Sequence, residues 1–404
     1  MGQPLTFLCV SFYFKGVDFL IASKAAGNKV FLLTNKKLEG KPWPRESIDE
    51  IFYLEDDANT PTNMSHMVEG TAWLMRKHKI DRIIALDDFD VEKAAFLREN
   101  FRIPGMGQTT ARYFRDKLAM RTKAAEAGIP VPPFSSLFTD EDINHFADTV
   151  AAPWVVKPRS EASALGIRKV DSKAALWQVI DELGGKRHDY LVEQFKPGDV
   201  YHVDALTFKG ENIFCRVSQY LNTPFEVAHG GGVFRSHVCE FGGMDDQALQ
   251  ALNSKVMKAF GMQYSASHTE FIKSKETGAY YFLETASRVG GAHLAEMVAF
   301  SSGINLWKEW ANIENAMAKG LPYELPPVRY DYAGIVVSLS RFEQPDHTIF
   351  NDPEVVWRMD KPYHIGLILQ SDKRERILAL LENYVGRIFQ DFHASVPPAS
   401  KPMD

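Results

Sequence analysis

The stretch AYYFLETASRVGGAH, residues 279–293, joins an apolar, aromatic run to charged residues at its end. The run predicts a buried strand that ends near Glu284, and Arg288 follows one short loop later. A buried carboxylate is costly unless a positive group meets it, so this strand end requires either a salt bridge or a metal ion. The stretch alone leaves both possibilities open.

The preceding segment ASHTEFIKS, residues 266–274, is predicted to pair with this strand as an antiparallel hairpin across the turn KETG. A turn centred near Thr277 places Glu270 opposite Glu284, with the two side chains on one face and about 5 Å apart. A slip of one residue would break this pairing. Two facing carboxylates at a cleft can hold one or two divalent cations, or each can pair with a nearby Lys or Arg.

A second motif, VVKPRSEASALGIRKV at residues 155–170, predicts a strand, a loop of small residues and another strand. Small residues such as Ser163 and Gly166 let backbone N–H groups approach phosphate oxygens, and Lys157 adds a point charge. The loop could cover phosphates, or it could be an ordinary hairpin loop. It is not a P-loop, because no Gly-Lys-Ser/Thr opens a helix here.

A third motif is YLVEQFKPGDVYHVD, residues 190–204, where a strand ending at Glu193 enters a turn at Gly198. This is either a plain connection between two domains or a place where a purine edge can bond to exposed backbone groups.

The first hundred residues alternate short apolar runs with helical patterns, which predicts a doubly wound parallel α/β domain with its crevice at the carboxyl ends of the strands. Asp87 and Asp88 follow one such strand, and these acids and Asp90 are interpreted mainly as helix caps. No G-x-G-x-x-G follows the first strand, so a dinucleotide cofactor is disfavoured.

Composition excludes several classes of function. The chain has 404 residues, a formal charge of −6 and three cysteines. No basic cluster suits nucleic acid or an anionic membrane, and no apolar run is long enough to span a bilayer. The cysteines are widely spaced and odd in number, so they fit neither a disulfide framework nor a zinc site, and we expect a cytoplasmic protein. Because no basic cluster is present, we expect its partners to be small molecules.

The order of these motifs resembles the ATP-grasp superfamily, most closely its carboxylate–amine ligase and biotin-carboxylase-like branch. The motifs are Lys117 in FRDKLAMRTKAAEAGIPVPPF, Lys157 in VVKP, Glu193 before the glycine turn, Glu270 in HTEF, and FLETASRVGGAH. The resemblance implies α/β and α+β structure, in which the doubly wound domain precedes a two-lobed ATP-grasp fold with a small lid. The expected units are an N-terminal domain at 1–106, a central and lid subdomain at 107–192, a C-terminal lobe with a strand-helix extension at 193–392, and a tail at 393–404.

The resemblance also implies roles for individual residues. Arg288 and Lys157 would be catalytic, and Glu270 and Glu284 would ligate Mg²⁺, as one or two ions, with Mn²⁺ as a possible substitute. The resemblance thus favours the metal over the salt bridge at the strand end. The residues expected to bind ATP are Lys117, Lys157, Ser163, Gly166, Glu193, Gln194, Phe195 and Asp199.

Two features of the sequence depart from the family pattern. Ala286 and Ser287 stand where the family usually has asparagine and proline, so one expected metal ligand is missing. The acid expected to bind ribose aligns with Val200, and Asp199 is the neighbouring candidate.

The activity that the resemblance implies is an ADP-forming ligation, in which a carboxylate is activated as an acyl-phosphate and captured by an amine to give an amide or peptide bond. A possible homodimer is also implied. Polar residues of the same segments are candidates for the substrate site: Arg216, His229, Gly231, Arg235, His237, His268 and His293. An arginine could hold a carboxylate and a histidine could accept the amine proton.

Two alternatives stay open. The same fold activates bicarbonate in biotin carboxylases, although no Met-Lys-Met biotinyl site is present in the sequence. The missing asparagine instead suggests a nucleotide-binding module with impaired catalysis.

Overall fold

The computed structural model describes residues 4–55, 63–161, 166–223 and 232–395. The strands in this part of the chain form three sheets, of four, four and eight strands. The first sheet is parallel, and the other two are antiparallel. A parallel α/β domain followed by two antiparallel sheets agrees with the predicted fold class.

The parallel sheet has helices on both of its faces. Its strands, in the spatial order β3-β2-β1-β4, are β1 Thr6–Ser11, β2 Lys29–Asn35, β3 Glu50–Leu54 and β4 Arg82–Ala85. Its helices are α1 Val17–Ala25, α2 Met64–Met75 and α3 Val91–Phe101. In β1, Phe7 and Cys9 pack in the core on the α1 side, and Leu8 and Val10 pack in the core on the α2 and α3 side. This alternation along a fully buried strand is what a doubly wound sheet requires.

The segment that follows the parallel sheet begins with two short helices. These are α4 Gln108–Arg112 and α5 Lys117–Glu126. Asp116 is the N-cap of α5, and its carboxylate accepts hydrogen bonds from the N–H groups of Leu118 and Ala119. An aspartate at this position starts a new helix because it satisfies free N–H groups. Lys117 therefore lies at the first turn of α5.

The smaller antiparallel sheet, here called the lid sheet, has the spatial order β5-β8-β6-β7. Its strands are β5 Phe134–Ser136, β6 Trp154–Pro158, β7 Arg168–Val170 and β8 Tyr190–Gln194, and its helices are α6 Asp140–Thr149 and α7 Lys173–Leu183. Trp154, Val156 and Val192 pack in one apolar cluster with Ile143 of α6 and Ile180 of α7. The lid sheet thus has a core of its own.

The eight-stranded sheet has the spatial order β13-β12-β9-β10-β11-β14-β16-β15. Its strands are β9 Gly198–Phe208, β10 Glu211–Tyr220, β11 Phe234–Val238, β12 Tyr264–Ser274, β13 Tyr280–Ala286, β14 Tyr332–Leu339, β15 Val355–Arg358 and β16 His364–Ser371. Its helices are α8 Met244–Phe260, α9 Leu294–Ser302, α10 Leu306–Ala318 and α11 Arg374–Asp391. The last hundred residues therefore extend the same sheet rather than forming a separate layer.

The β12–β13 hairpin has the predicted pairing at its functional end. Glu270 lies opposite Glu284, and a bulge follows, so that Phe271 pairs with Phe282. The extra residue is Leu283, and its carbonyl oxygen accepts a hydrogen bond from Nη1 of Arg121. The register at the turn thus differs by one residue from the register at the glutamates, which sequence spacing alone does not reveal.

The first residue of the predicted tail at 393–404 is paired with another part of the protein. His393 forms an isolated bridge with Ser340, and its Nδ1 lies 2.8 Å from Oγ of Ser338. Residues 396–404 of the predicted tail lie outside the described residues, and the domain boundaries stay predictions. Within the described ranges, no helix is long and apolar enough to cross a membrane.

A buried ion pair ties the parallel sheet to α10. Nε and Nη2 of Arg82 donate to Oε2 of Glu314 at 2.9 and 2.6 Å, and both side chains are almost fully buried. The indole of Trp310 donates to the other glutamate oxygen at 3.3 Å. Removing one partner of such a pair leaves a buried charge without compensation.

We therefore expect Glu314→Ala to lower the free energy of unfolding by about 3 kcal/mol. The double variant Arg82→Leu with Glu314→Leu should lose less, because neither charge remains buried. Urea denaturation followed by fluorescence measures both. A single variant as stable as the wild type would contradict this reading of the interface.

Candidate active site

Two adjoining cavities lie where the three sheets meet. The smaller cavity, about 490 Å³, lies between the lid sheet and the β12–β13 hairpin. The larger, about 790 Å³, lies between the hairpin, the loop 288–293 and the carboxyl ends of β1 and β4. The two cavities share four lining residues, which are Lys117, Glu161, Glu270 and Glu284.

A buried cluster of one acidic and two basic side chains lies at the smaller cavity, and two of its members, Glu193 and Lys157, line that cavity. Glu193 accepts hydrogen bonds from Nε of Arg121 at 2.9 Å through Oε2 and from Nζ of Lys157 through Oε1. Burial raises the pKa of Glu193, but Arg121 and Lys157 outweigh it and lower the pKa below its ordinary value. Both carboxylate oxygens are therefore engaged by cations. The sequence reasoning missed Arg121.

Burial dominates at Lys157. It lowers the pKa of Lys157 to about 8, although Glu193 acts in the opposite direction. A lysine with such a pKa is still mainly protonated at neutral pH, and it is poorly solvated. An anion in the smaller cavity would therefore be attracted strongly.

Other predicted residues of this cavity lie where a planar ligand could contact them. Gln194 and Phe195 line it, as does Lys169, whose Nζ lies 3.9 Å from the centre of the Phe195 ring. Gly166 follows the loop with φ +69°, a left-handed conformation that favours glycine. Asp199 instead pairs with Lys275 at 3.5 Å, beside the cavity. Ser163 lies outside the described residues.

The junction of the two cavities holds the paired glutamates. Nζ of Lys117 lies 2.8 Å from Oε2 of Glu284 and donates to the carbonyl oxygen of Glu161 at 2.7 Å. Burial raises the pKa of Glu284, but Lys117 and Lys157 together lower it below its ordinary value. The hydroxyl of Tyr220 donates to Oε1 of Glu270 at 3.0 Å. The salt bridge considered from the sequence is therefore present.

The donor set at this junction also suits a hard cation. Within the described residues, no hydrogen bond engages Oε2 of Glu270 or Oε1 of Glu284, so each carboxylate keeps one free oxygen. Oxygen ligands of this kind are those that Mg²⁺ prefers. Ala286 lies opposite His268 in the hairpin and offers no ligand atom of its own side chain. The residues present therefore fit a magnesium ion with two protein carboxylates.

Beneath Glu270 lies a buried chain of hydrogen-bonded side chains. Asp204 accepts hydrogen bonds from Nδ1 of His268 at 2.9 Å and from Nδ1 of His202 at 2.8 Å. Nε2 of His202 lies 2.7 Å from Oγ of Ser236. His202, Asp204 and His268 lie close enough together to hold a metal ion, but both histidines are already hydrogen-bonded to Asp204. The sequence signal was polar residues at alternate positions of the apolar strand VYHVDALTF.

The side chains of this hydrogen-bonded chain differ in their protonation. Burial would lower the pKa of His268, but Asp204 and Glu270 raise it to about 10, so its imidazole is protonated at neutral pH. Burial raises the pKa of Asp204, but the two histidines outweigh it, so the pKa lies below its ordinary value. Burial lowers the pKa of His202. A Cβ at Gly290 would lie 2.8 Å from Oδ1 of Asp204, so only glycine fits against this chain.

Arg288 is held from across the larger cavity by the N-terminal domain. Its Nη2 donates to Oδ2 of Asp88 at 2.5 Å, and its Nη1 donates to the carbonyl oxygen of Val289 at 2.8 Å. Burial would lower the pKa of Arg288, but Asp88 and Asp87 raise it. The guanidinium is thus fixed and charged.

The interpretation of the acids after β4 as helix caps is partly wrong. Asp87 does accept from the N–H of Phe89, and it also pairs with Lys15. Asp88 is not a cap, because its carboxylate binds Arg288. Asp90 occupies the N-cap position of α3, but its carboxylate binds the N–H of Phe12 and Nζ of Lys93 instead of α3 N–H groups.

Only some of the predicted substrate residues reach the larger cavity. His268 and His293 line it, and Nδ1 of His293 lies 3.2 Å from Oε1 of Glu296. His229 and Gly231 lie outside the described residues. The cavity is also lined by aromatic residues that the sequence reasoning missed, among them Tyr13, Phe14 and Trp307.

Two arginines and one histidine lie elsewhere, which corrects the expectation for them. Arg216 lies 4.7 Å from the Phe241 ring centre and donates to the carbonyl oxygen of Arg329. Arg235 donates to Glu382 and Asn222. His237 is buried against its own strand, and burial lowers its pKa to about 4. Side chains alternate across a strand, so neighbours of cleft residues face away.

Comparison with known proteins assigns the fold. Residues 124–219 match the family described as D-ala D-ala ligase C-terminus. An L-amino acid ligase from Bacillus licheniformis has a similar structure, with a TM-score of 0.75, 18% identity, and coverage of 97% of this chain and 99% of that one. The biotin carboxylase domain of a 2-oxoglutarate carboxylase from Hydrogenobacter thermophilus gives a TM-score of 0.70 at 17% identity, covering 98% and 91%. The chain has the ATP-grasp fold, and the predicted resemblance is confirmed.

Several curated relatives are named as ligases. The chain is 27% identical over 281 residues to an L-arginine-specific L-amino acid ligase of Bacillus subtilis, a match covering 66% of this chain and 64% of the relative. It is 34% identical over 105 residues to a D-alanine–D-alanine ligase of Ralstonia pickettii, covering 26% and 32%. The chain thus matches less than two thirds of the length of these relatives.

The buried chain beneath Glu270 yields a stability prediction. Asp204→Asn should lower the free energy of unfolding by about 3 kcal/mol, because a protonated His268 would lose its buried counter-charge. Ser236→Ala, at the other end of the chain, should cost about 1 kcal/mol as a single lost hydrogen bond. Urea denaturation at pH 7 compares the two. Equal costs would show that charge plays no part.

Proposed function

We propose that this protein is an ATP-dependent, ADP-forming carboxylate–amine ligase. The observation that carries the proposal is the junction of the two cavities, where Lys117, Glu270 and Glu284 line both. A nucleotide in the smaller cavity would present its terminal phosphate at that junction. A carboxylate in the larger cavity would meet the phosphate there.

The smaller cavity has the groups that ATP needs. Lys117 and Lys157 supply positive charge for the phosphates, and the loop at 160–166 would cover them. The side chain of Glu193 is engaged by Arg121 and Lys157, so in this proposal adenine meets the backbone of residues 194–196 instead. Asp199 as the ribose ligand stays a prediction.

Glu270 and Glu284 would hold magnesium. The ion would supply positive charge to the phosphate oxygens and so ease attack on the γ-phosphorus. The number of ions, their replacement by Mn²⁺ and a homodimeric assembly stay predictions.

The reaction follows from what the chain's own residues can do. A substrate carboxylate oxygen attacks the γ-phosphorus, the bond to the β-phosphate oxygen breaks, and ADP leaves. Arg288, fixed by Asp88, holds the acyl-phosphate oxygens, and an amine then displaces phosphate to form the amide. His293 with Glu296 is the proposed acceptor of the amine proton. His268 is unsuitable as a base at neutral pH, because it is already protonated.

The test is direct. Protein, ATP, Mg²⁺ and a pool of amino acids and small carboxylic acids are incubated, and ADP, phosphate and new masses are recorded. ADP release with a mass equal to acid plus amine minus water supports the ligase. ADP release with bicarbonate alone would support the carboxylase alternative. ATP binding without turnover would support an impaired binding module.

The pKa of Lys157 predicts how nucleotide affinity depends on pH. A protonated Lys157 favours a bound phosphate, so Mg²⁺–ADP affinity should be constant below about pH 8 and fall as pH rises above it. The slope should approach tenfold per pH unit until the pKa of the bound state is reached. Calorimetry from pH 6.5 to 9.5 measures it, over a range of about three units around that pKa.

Two variants control this experiment. Lys157→Arg should abolish the pH dependence, because a guanidinium does not titrate in this range. Glu193→Gln should move the fall to lower pH, because Glu193 raises the pKa of Lys157. A wild-type affinity that stays level up to pH 9.5 would exclude this role for Lys157.

A further inference from the structure

A third cavity, of about 310 Å³, lies outside the candidate active site. It is bordered by β4 and α3 of the parallel domain, the loop 104–107, the turn 261–263 before β12, and α10. Among the described residues, none that lines this cavity lines either of the other two. Pockets that hold small molecules have volumes of roughly 300–1,000 Å³, so this cavity is large enough for a small ligand.

The third cavity contains a buried arginine that has no acidic partner among the described residues. Arg98 is 8% exposed, and its Nε and Nη1 donate to the carbonyl oxygens of Met106 and Ile83 at 2.9 and 2.7 Å. Its Nη2 makes no hydrogen bond with a described residue, yet this atom is not enclosed and keeps accessible surface where Arg98 lines the cavity. A donor group of a buried cation is therefore open to a ligand.

The charges around the third cavity leave one positive charge without compensation. Arg82 also lines the cavity and is paired with Glu314, so that carboxylate is already engaged. Burial and the neighbouring Arg82 lower the pKa of Arg98 to about 10, so its guanidinium is protonated at neutral pH. No other described residue that lines the cavity is charged. A ligand with a single negative charge would therefore balance the charges.

Much of the remaining wall is apolar and adaptable. Met106, Met262 and Met317 line the cavity together with Ile84 and Trp310. Methionine side chains are flexible and polarisable, so they can pack against ligands of irregular shape. A ligand with its anionic group at Arg98 would place an apolar body against these residues.

We infer that the third cavity is a binding site for a small monocarboxylate with an apolar body, and that Arg98 binds the carboxylate. The planar N–H donors of a guanidinium match the geometry of a carboxylate. This ligand is additional to the nucleotide and the substrates, because the third cavity is separate from the two cavities proposed for them. It lies beside the active site, since Ser287 of its wall immediately precedes Arg288 in the chain.

Methyl NMR of the methionines tests both the place and the chemistry. The full-length protein, labelled with ¹³C at its methionine methyl groups, is titrated with 3-phenylpropanoate. Met106, Met262 and Met317 report on the third cavity, and Met120 and Met359 report on the larger cavity of the candidate active site. Single Met→Leu variants assign the signals. Neither nucleotide nor turnover is needed, so the result does not depend on the proposed ligase activity.

The signals of Met106, Met262 and Met317 should shift as 3-phenylpropanoate is added. The neutral analogue 3-phenylpropanamide has nearly the same shape and should bind about tenfold more weakly or worse, the factor expected for a lost charged hydrogen bond. Arg98→Gln should weaken binding of the carboxylate by the same factor and leave binding of the amide nearly unchanged.

A second variant leaves the buried arginine in place, in case Arg98→Gln does not fold. Gln263 is exposed and lines the third cavity, so Gln263→Glu adds a negative charge there. It should weaken binding of the carboxylate by about threefold at low salt and leave binding of the amide unchanged. The matched control Gln390→Glu makes the same change on the exposed side of α11 and should alter neither affinity.

The other outcomes overturn the inference. Shifts confined to Met120 and Met359 would place the carboxylate in the larger cavity alone. Equal binding of the carboxylate and the amide would exclude recognition of negative charge by Arg98. Absence of any shift at about 10 mM 3-phenylpropanoate would exclude the site. Absence of ADP release in the activity assay would instead overturn the proposed function and leave this site unaffected.

Discussion

The repulsion between two carboxylates on one hairpin is the constraint around which the rest of the molecule is arranged. Glu270 and Glu284 face each other across β12 and β13, and like charges in that position oppose pairing. Each glutamate therefore depends on a group from another element. Lys117 comes from α5, Tyr220 comes from β10, and protonated His268 lies beneath. Lys117 and Tyr220 thus offset, from outside the hairpin, the repulsion that this register creates.

The same principle explains why three sheets converge on one cleft. The N-terminal domain supplies Asp88 to Arg288, and the lid sheet supplies Glu193 to Arg121 of α5. Every one of these pairs joins different structural units, and each is mostly withdrawn from water. Ion pairs of this kind contribute little net stability, but they specify how the units fit together. The cleft is thus both the candidate active site and the place where the units are held in register.

Sequence patterns predicted the parts of the site that are local. The alternation of apolar runs indicated the parallel domain, and the hairpin spacing placed Glu270 opposite Glu284 because cross-strand geometry depends on nearby residues. Sequence patterns did not reveal ion-pair partners that are distant in the chain. Asp88 and Arg288 lie 200 positions apart, and a charged residue after a strand has the same local signature whether it caps a helix or binds an arginine. Arg216 and Arg235 were misplaced because strand phase, shifted by turns and bulges, decides which face a side chain occupies.

The bulge at Leu283 limits how the lid sheet can rotate relative to the hairpin. By freeing one carbonyl oxygen from the strand pairing, it lets Arg121 bind the hairpin through Nη1 while Nε and Nη2 hold Glu193 of the lid sheet. A single guanidinium thus joins the hairpin to the lid sheet. Hydrogen bonds tolerate only small changes in length, so any rotation of the lid sheet that preserves these contacts must have its axis near Arg121. Under such a rotation, Lys157, which shares Glu193 with Arg121, would barely move, so its charge would stay at the wall of the smaller cavity.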